Sequence, residues 1–202
     1  HELSTRYNVY FNAEMAYGET LQSLFQSHQE EYSSLLPMYP NSSIPGDTTV
    51  KNLGGPFDKV IEKTAKAIQE HSISAKPVRD AAKMNSQEYR DWLRQNEFNP
   101  FIDRAWLLMG KAHVQNRDYA QAIAVLSQTA RLFTHDIQTV SEAQIWMLRA
   151  YVEMGWFTDA ETVVSTLQSR VLPIDLRKLF DEFRTFHLLS KHEYEAAIPF
   201  LN

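Results

Sequence analysis

The chain of 202 residues is long enough to bury a sizeable core and fits one domain or two small ones. Its net charge of −5 gives no support to a nucleic-acid binder or an anionic-membrane binder, since such proteins usually carry a basic excess. There is no cysteine, which excludes disulfides, thiolate nucleophiles and thiolate metal ligands, and no run of about 18 apolar residues that could form a transmembrane helix.

Helical periodicity covers most of the chain and predicts an all-α fold. Only six glycines occur and β-branched runs are scarce, and both features favour helix over sheet. In residues 1–36, aromatic and apolar side chains recur at steps of three and four residues, which predicts a helix, with a break near Gly18 left open. Residues 37–55 contain three prolines and are predicted to form a long loop.

A second helical segment is predicted at residues 57–68. Pro56 is expected at its first position, where the missing N–H group of proline is tolerated. Residues 72–86 are weakly patterned and are predicted to form another long loop. Asn85 and Glu88 have the spacing of a capping box at the start of a short helix.

From residue 101 onward the pattern predicts helices in consecutive pairs. Each helix is amphipathic at the helical period, and short polar turns separate the helices. Ser141 and Gln144 have capping-box spacing near the start of the second pair, although the periodicity also allows an earlier start. The predicted helices are 101–116, 119–133, 138–154 and 157–170, then one that follows Pro173 to about Leu189, and a sixth that begins at Glu193.

One packing pattern recurs three times in this region. Ala122, Ala160 and Ala197 are 38 and then 37 residues apart, and each has an aromatic residue three positions before it and a turn residue five positions before it. Trp106 and Gly110, together with Ala122, also match the spacing of a tetratricopeptide repeat. Gly110 and Ala122 are predicted to lie where two helices approach closely.

We therefore interpret the chain as all-α, with a tetratricopeptide-like helical-pair solenoid after a divergent N-terminal helical region. Stacking the pairs would bury the apolar face that each pair exposes alone. An irregular helical bundle, in which glycine and alanine only ease packing, is the alternative. The N-terminal region is assigned to 1–100 and the repeats to 101–136, 138–172 and 173–202, the last of them truncated.

Three stretches of the chain resemble a known protein family. They are residues 6–13 (RYNVYFNA), residues 58–73 (beginning DKVIEK and ending HSI) and residues 99–106 (NPFIDRAW). Together they resemble the SprE/PorW family, the tetratricopeptide lipoproteins of gliding motility and type IX secretion in Bacteroidota. The similarity extends over essentially the whole chain.

This resemblance implies a function and a location. It implies a longer protein, with a signal peptide and a lipidated cysteine upstream of His1, at the periplasmic face of the outer membrane. It also implies a non-catalytic scaffold of the secretion machinery, with partners such as the periplasmic ring components PorK and PorN. Nucleic acid is not an expected partner, and membrane contact is expected only through the lipid anchor. The alternative is a tetratricopeptide adaptor lipoprotein for outer-membrane protein assembly or for cell-wall enzymes.

No motif in the sequence requires catalysis. The seven histidines include no H-E-x-x-H pair, and no P-loop, G-x-S-x-G or G-x-G-x-x-G motif occurs. His113 lies on the predicted inner face of a repeat helix, where we interpret it as a packing residue and not as a metal ligand. We therefore expect no enzymatic activity, no cofactor and no metal.

Protein binding is expected on the surface of the solenoid. In helical-pair solenoids the first helix of each pair lines the concave surface, and the mixed charge predicted there suits a polar peptide or a partner helix. A second candidate surface combines the 37–55 loop with residues 72–100, either as a cap on the N-terminal end of the array or as a docking site. The predicted protein-binding residues are Arg104, Lys111, Gln115, Glu142, Arg149 and Glu153.

Overall fold

A computed structural model describes residues 10–28, 38–42 and 54–200. All regular secondary structure among these residues is helical, which confirms the all-α prediction. Within the same ranges, no helix combines the length and the apolar character needed to span a membrane. The helices are α1 (Phe11–Ser27), α2 (Asp58–His71), α3 (Gln87–Leu93), α4 (Ile102–Gln115), α5 (Tyr119–Leu132), α6 (Ile137–Glu153), α7 (Phe157–Gln168), α8 (Ile174–Ser190) and α9 (Tyr194–Ala197), with 3₁₀ turns at Ala81–Lys83 and Ile198–Phe200.

Helices α4 to α8 pack in a regular order. Each contacts the next one along the chain, and the first helices of successive pairs also contact one another, α4 with α6 and α6 with α8. The short connections between them make neighbouring helices antiparallel. One apolar core runs along this array, from Val114 and Leu126 through Trp146 to Phe183. The bounds of these five helices agree with the predicted ones to within about two residues.

The turn inside each helix pair has the same backbone geometry. Arg117, Gly155 and His192, the turn residues that precede the spaced alanines, have φ values of 64°, 70° and 62°. In each turn the next N–H group donates to a carbonyl five residues earlier, as in a Schellman motif. These bonds are Asp118 N–His113 O at 2.9 Å, Trp156 N–Tyr151 O at 2.8 Å and Glu193 N–Leu188 O at 2.9 Å. The recurrence seen in the sequence is therefore also present in the backbone.

The small residues of the repeated pattern lie at helix contacts. Ala122, Ala160 and Ala197 are fully buried. A Cβ atom added at Gly110 would overlap the side chain of Leu126, which is itself fully buried and has little room to move. The close approach of α4 and α5 that Gly110 predicted is confirmed.

The positive φ at Gly155 leads to a stability prediction. We expect Gly155→Ala to lower the free energy of unfolding by about 1 kcal/mol, because a Cβ atom disfavours the left-handed backbone conformation. Gly18→Ala is the matched control, since an added Cβ there would meet nothing within 4 Å. In mid-helix, alanine should raise stability by about 0.5–1 kcal/mol. Urea denaturation of both variants measures the two changes, and changes of the same sign would contradict the prediction.

The N-terminal helix agrees with its prediction where the structure describes it. Helix α1 continues through Gly18, so the alternative of a break there is wrong. Tyr10 and His28 flank α1 at its N-cap and C-cap, and the remainder of the predicted 1–36 helix lies outside the described residues. In the predicted 37–55 loop, residues 38–42 contain only bends and a turn, and 54–55 are also non-helical.

Helix α2 begins later than the sequence predicts. Its first residue is Asp58, so Pro56 precedes the helix and is not its first residue. The reason is a contact from the end of α4. The Asn116 side chain accepts a hydrogen bond from the Phe57 N–H at 2.9 Å and donates one to Asp58 Oδ1 at 2.7 Å. Asn116 therefore fixes the start of α2 against the first helix pair.

Two other helix starts differ from the predicted capping boxes. The N-cap of α3 is Ser86, whose hydroxyl accepts a backbone N–H bond at 3.3 Å, and not Asn85. Helix α6 begins at Ile137, capped by Asp136. Ser141 therefore lies inside the helix, where its hydroxyl donates to the Ile137 carbonyl at 2.6 Å. In both cases a neighbouring polar residue offers a better-placed acceptor.

A buried carboxylate ties the segment after α2 to the start of the array. Glu97 accepts hydrogen bonds from the Ile73 and Asn99 N–H groups at 2.7 and 2.9 Å and from the Ser72 hydroxyl. The Asn99 side chain donates to the His71 carbonyl at 2.9 Å. The predicted 72–86 loop contains only the short 3₁₀ turn, but its first residues are fixed against the end of α2.

Candidate functional site

The first helices of the three pairs share a face that another part of the chain covers. The 38–42 segment contacts α4, α6 and α8, although these contacts span 74 to 143 residues of sequence. We call the residues that it touches the covered face. They are Gln115 of α4, Arg149 and Glu153 of α6, and Glu182, Phe183 and Phe186 of α8.

Tyr39 is the apolar anchor of the 38–42 segment. Its ring is edge-on to those of Phe186 and Phe183, with centroids 5.3 and 6.1 Å away. The Arg149 guanidinium carbon lies 3.7 Å from the ring centroid, a cation–π contact worth about 2 kcal/mol when it is desolvated. The Tyr39 hydroxyl donates to Glu182 Oε1 at 2.8 Å. Burial raises the pKa of Tyr39 above its usual range, which keeps the hydroxyl protonated as a donor.

Asn41 and Ser42 supply the polar contacts of the segment. The Asn41 amide nitrogen donates to the backbone carbonyl of Gln115 at 2.8 Å and to its side-chain oxygen at 2.9 Å. The Asn41 oxygen accepts a hydrogen bond from Arg149 Nη2 at 3.1 Å. The Ser42 hydroxyl donates to Glu153 Oε1 at 2.7 Å. Each polar side chain of the segment therefore meets a polar group of the covered face.

Beneath the segment lies a buried ion pair. Arg149 Nε is 3.6 Å from Glu153 Oε1, and the two side chains are 4% and 1% exposed. Tyr119 lies close enough to Glu153 for the carboxylate to add to burial in raising the pKa of the phenol. Buried charges are costly unless they are paired and hydrogen-bonded, so the segment completes the environment that both charges need.

The six predicted binding residues fall into two groups. Gln115, Arg149 and Glu153 belong to the covered face and are buried. The 38–42 segment lies over these three side chains, and Gln115 also donates to the Tyr17 hydroxyl of α1 at 3.2 Å, so the three do not form an open surface. Their role in protein binding stays a prediction.

The other three predicted residues lie outside the covered face. Lys111 of α4 and Glu142 of α6 form an ion pair, with each side chain 23% exposed. The Lys111 ammonium also lies 5.7 Å from the centroid of the Trp146 ring. Arg104 is exposed and has its guanidinium 5.1 Å from the Phe101 ring. This second group is the part of the predicted surface that remains accessible.

Sequence reasoning missed the residues that cover the face. Tyr39, Asn41 and Ser42 lie in a stretch whose prolines predict a loop, and a loop pattern does not indicate what the loop contacts. The second candidate surface combined this loop with residues 72–100, either as a cap on the N-terminal end of the array or as a docking site for a partner. Residues 38–42 lie across the first helices of all three pairs, and the rest of the loop, except residues 54–55, lies outside the described residues.

His113 lies apart from the covered face. Its Nδ1 atom is 3.2 Å from Asp118 Oδ2 in the first repeat turn, beside a shallow cavity of ≈ 260 Å³ that Asp58 and Glu62 also line. Across residues 10–28, 38–42 and 54–200, no group of three or more histidine, aspartate or glutamate side chains could hold a metal ion. The contact with Asp118 fits a structural role for His113 in the turn.

His187 of α8 leads to a pH prediction. Burial lowers the pKa of this histidine, and the nearby charges of Lys191 and Arg184 lower it further, against opposing effects of Glu161 and Glu193. The unfolded chain, with a histidine pKa of about 6.5, then binds more protons than the folded one. We therefore expect stability to fall as the pH drops below about 6.5. Thermal melts between pH 5 and 8 should show a smaller fall for His187→Gln, and equal falls would contradict the assignment.

No protein-family model matches the chain, and no curated protein matches it.

Proposed function

We propose that this protein is a non-catalytic scaffold of the type IX secretion and gliding machinery, built as a tetratricopeptide-like solenoid. The observation that carries the proposal is the covered face. There the first helices of three successive pairs hold a short, non-helical stretch of polypeptide by its side chains. Solenoids of helical pairs bind partner segments on such surfaces, which supports a protein-binding role for this array.

Three features support the solenoid part of this proposal. The turn geometry recurs at Arg117, Gly155 and His192, the alanines five residues later are buried, and α4, α6 and α8 contact one another in order. An irregular bundle has no reason to repeat one turn at a spacing of 38 and 37 residues. The N-terminal helices α1 and α2 add to the array by packing together and, through α2, against α4.

The secretion system and the location follow from the resemblance to the SprE/PorW family. On this proposal the protein is a lipoprotein at the periplasmic face of the outer membrane, and its lipid anchor lies upstream of this chain. Its partners are proteins of the secretion machinery, such as the ring components PorK and PorN. The accessible Lys111–Glu142 pair and the exposed Arg104 offer mixed charge beside the covered face for such contacts.

Affinity capture tests the proposal. The 202-residue chain is immobilised and exposed to envelope extracts of a gliding bacterium that has type IX secretion, with an unrelated helical-repeat protein as the control bait. We expect PorK or PorN to be enriched on the chain and not on the control, as measured by quantitative mass spectrometry. Enrichment of outer-membrane assembly factors or cell-wall enzymes instead would favour the alternative adaptor role. Enrichment of neither group would overturn both.

A further inference from the structure

The covered face is more polar than a purely structural contact requires. Its centre is the Arg149–Glu153 ion pair, and a buried ion pair can often be replaced by apolar side chains without loss of stability. The pair also makes polar contacts to the segment, because Arg149 donates to Asn41 and Glu153 accepts from Ser42. These contacts depend on the side chains of the segment and not only on its backbone.

The contacts also define which sequence fits. Within residues 38–42, side-chain atoms make the hydrogen bonds to the covered face: the Tyr39 hydroxyl, the Asn41 amide and the Ser42 hydroxyl. Pro40 lies in a turn that the Ser42 N–H group closes by donating to the Tyr39 carbonyl at 3.0 Å, and its fixed φ favours the second position of such a turn. The required pattern is therefore a tyrosine, a spacer residue, an asparagine and a serine.

We propose that the covered face is a peptide-binding site, with the 38–42 segment as its resident occupant, and that a partner protein replaces this segment with its own Tyr-x-Asn-Ser stretch. The inference deepens the proposed scaffold function, on which it rests, by naming the chemistry of the partner. The partner segment is uncharged at these positions. Glu182 and Glu153 lie opposite the tyrosine and serine hydroxyls, so a negative charge at either of those positions is repelled.

Displacement is a competition with a tethered segment. A segment joined to its site within one chain has an effective concentration of about millimolar order, so a free peptide must compete against that value. The apparent affinity of a partner peptide is reduced by the fraction of molecules in which the face is open. Weakening the 38–42 segment should therefore strengthen binding of an added peptide.

The test uses the whole 202-residue chain and a fluorescein-labelled peptide of sequence LPMYPNSSI, which corresponds to residues 36–44. The variant Tyr39→Ala with Asn41→Ala opens the face, and Met38→Ala is the matched control, because Met38 lies in the same segment and is 39% exposed. By fluorescence anisotropy, we expect the opened variant to bind the peptide at least tenfold more tightly than the wild type does. Met38→Ala should match the wild type.

Changes in the peptide and in the face test the chemistry separately. Replacing the peptide tyrosine with alanine, or its first serine with aspartate, should weaken binding to the opened variant at least tenfold. Adding Arg149→Met and Glu153→Leu together to the opened variant should have a similar effect while leaving no unpaired charge behind. If these variants bind the peptide unchanged, it binds elsewhere and the proposal is wrong.

The remaining outcomes also decide the matter. An opened variant that unfolds cooperatively but binds the peptide no better than a scrambled peptide overturns the proposal. If the opened variant does not fold, Asn41→Ala alone takes its place, since it keeps the Tyr39 anchor, and a gain of at least threefold is then required.

A wild-type dimer that the peptide dissociates would assign the face to a second copy of the chain and overturn the partner assignment. Peptide binding without capture of PorK or PorN would contradict the proposed secretion function and would still support the peptide-binding site.

Discussion

Replacing Arg149 with alanine is expected to lower the free energy of unfolding by about 3–5 kcal/mol. The change leaves Glu153 buried, with its side chain 1% exposed, and removes its cationic partner. It also removes the cation–π contact with Tyr39 and the hydrogen bond to Asn41. This loss of stability comes mainly from the uncompensated charge of Glu153 and not from the net contribution of the ion pair. Chemical denaturation of the purified chain measures the change in the free energy of unfolding.

The matched control replaces both charges. Arg149→Met with Glu153→Leu leaves no buried charge, and we expect it to recover most of the stability lost in Arg149→Ala. A double variant as unstable as the single one would show that the ion pair itself holds the fold together. The double-mutant cycle, completed with the single variants Arg149→Met and Glu153→Leu, gives the coupling energy of the two side chains.

This burial changes how charge-reversal experiments are interpreted. Reversing Lys111 and Arg149 is the natural test of an open, mixed-charge face. Lys111 is partly exposed in its pair with Glu142, so its reversal tests surface charge. Reversal at Arg149 instead places a second carboxylate beside Glu153 in the interior, and lost binding would then only report lost folding. A variant at Lys111 alone is therefore the informative one.

Phe183→Ala is expected to cost about 3–5 kcal/mol, because a fully buried aromatic ring leaves a cavity that its neighbours fill only in part. Phe183 joins the array to the 38–42 segment. Its ring centroid is 5.2 Å from that of Trp146 and 6.1 Å from that of Tyr39. The loss therefore affects both the α6–α8 contact and the anchor of the segment.

The control for Phe183→Ala is Phe11→Ala in α1, where the ring is 53% exposed and the expected change is within about 0.5 kcal/mol. Guanidinium denaturation of both variants gives the two values. Similar losses at the two positions would mean that the packing around Phe183 is not as described. Phe183→Ala combined with Tyr39→Ala should lower the free energy of unfolding by less than the sum of the two single changes. Each single change already removes the contact between the two rings.

The helical array could be predicted from sequence because its determinants are local. Amphipathic periodicity located α4 to α8, and the spacing of Ala122, Ala160 and Ala197 located the three equivalent turns. Helix starts were less predictable. Asn116 fixes the start of α2 from 58 residues away, and no pattern near Pro56 contains that information.

The candidate site could be predicted only in part, for the same reason. Spacing grouped Gln115, Arg149 and Glu153 with Arg104, Lys111 and Glu142 on one face, but the structure brings only the first three under the 38–42 segment. What covers that face is set by tertiary contacts over long separations, up to the 143 residues between Tyr39 and Glu182. A proline-containing loop carries no periodicity from which such a contact could be inferred.

The long reach of the 38–42 segment has a consequence for the order of folding. The helices of the array contact their sequence neighbours, and such contacts form readily because short loops cost little entropy to close. The segment, by contrast, has no complete place to dock until α4, α6 and α8 have assembled. We therefore expect the segment to attach late in folding, after these three helices have packed together. The 38–42 segment can make its full set of contacts only after α8, the last of the three helices, has packed against α6. Docking of the segment therefore reports that the array is complete.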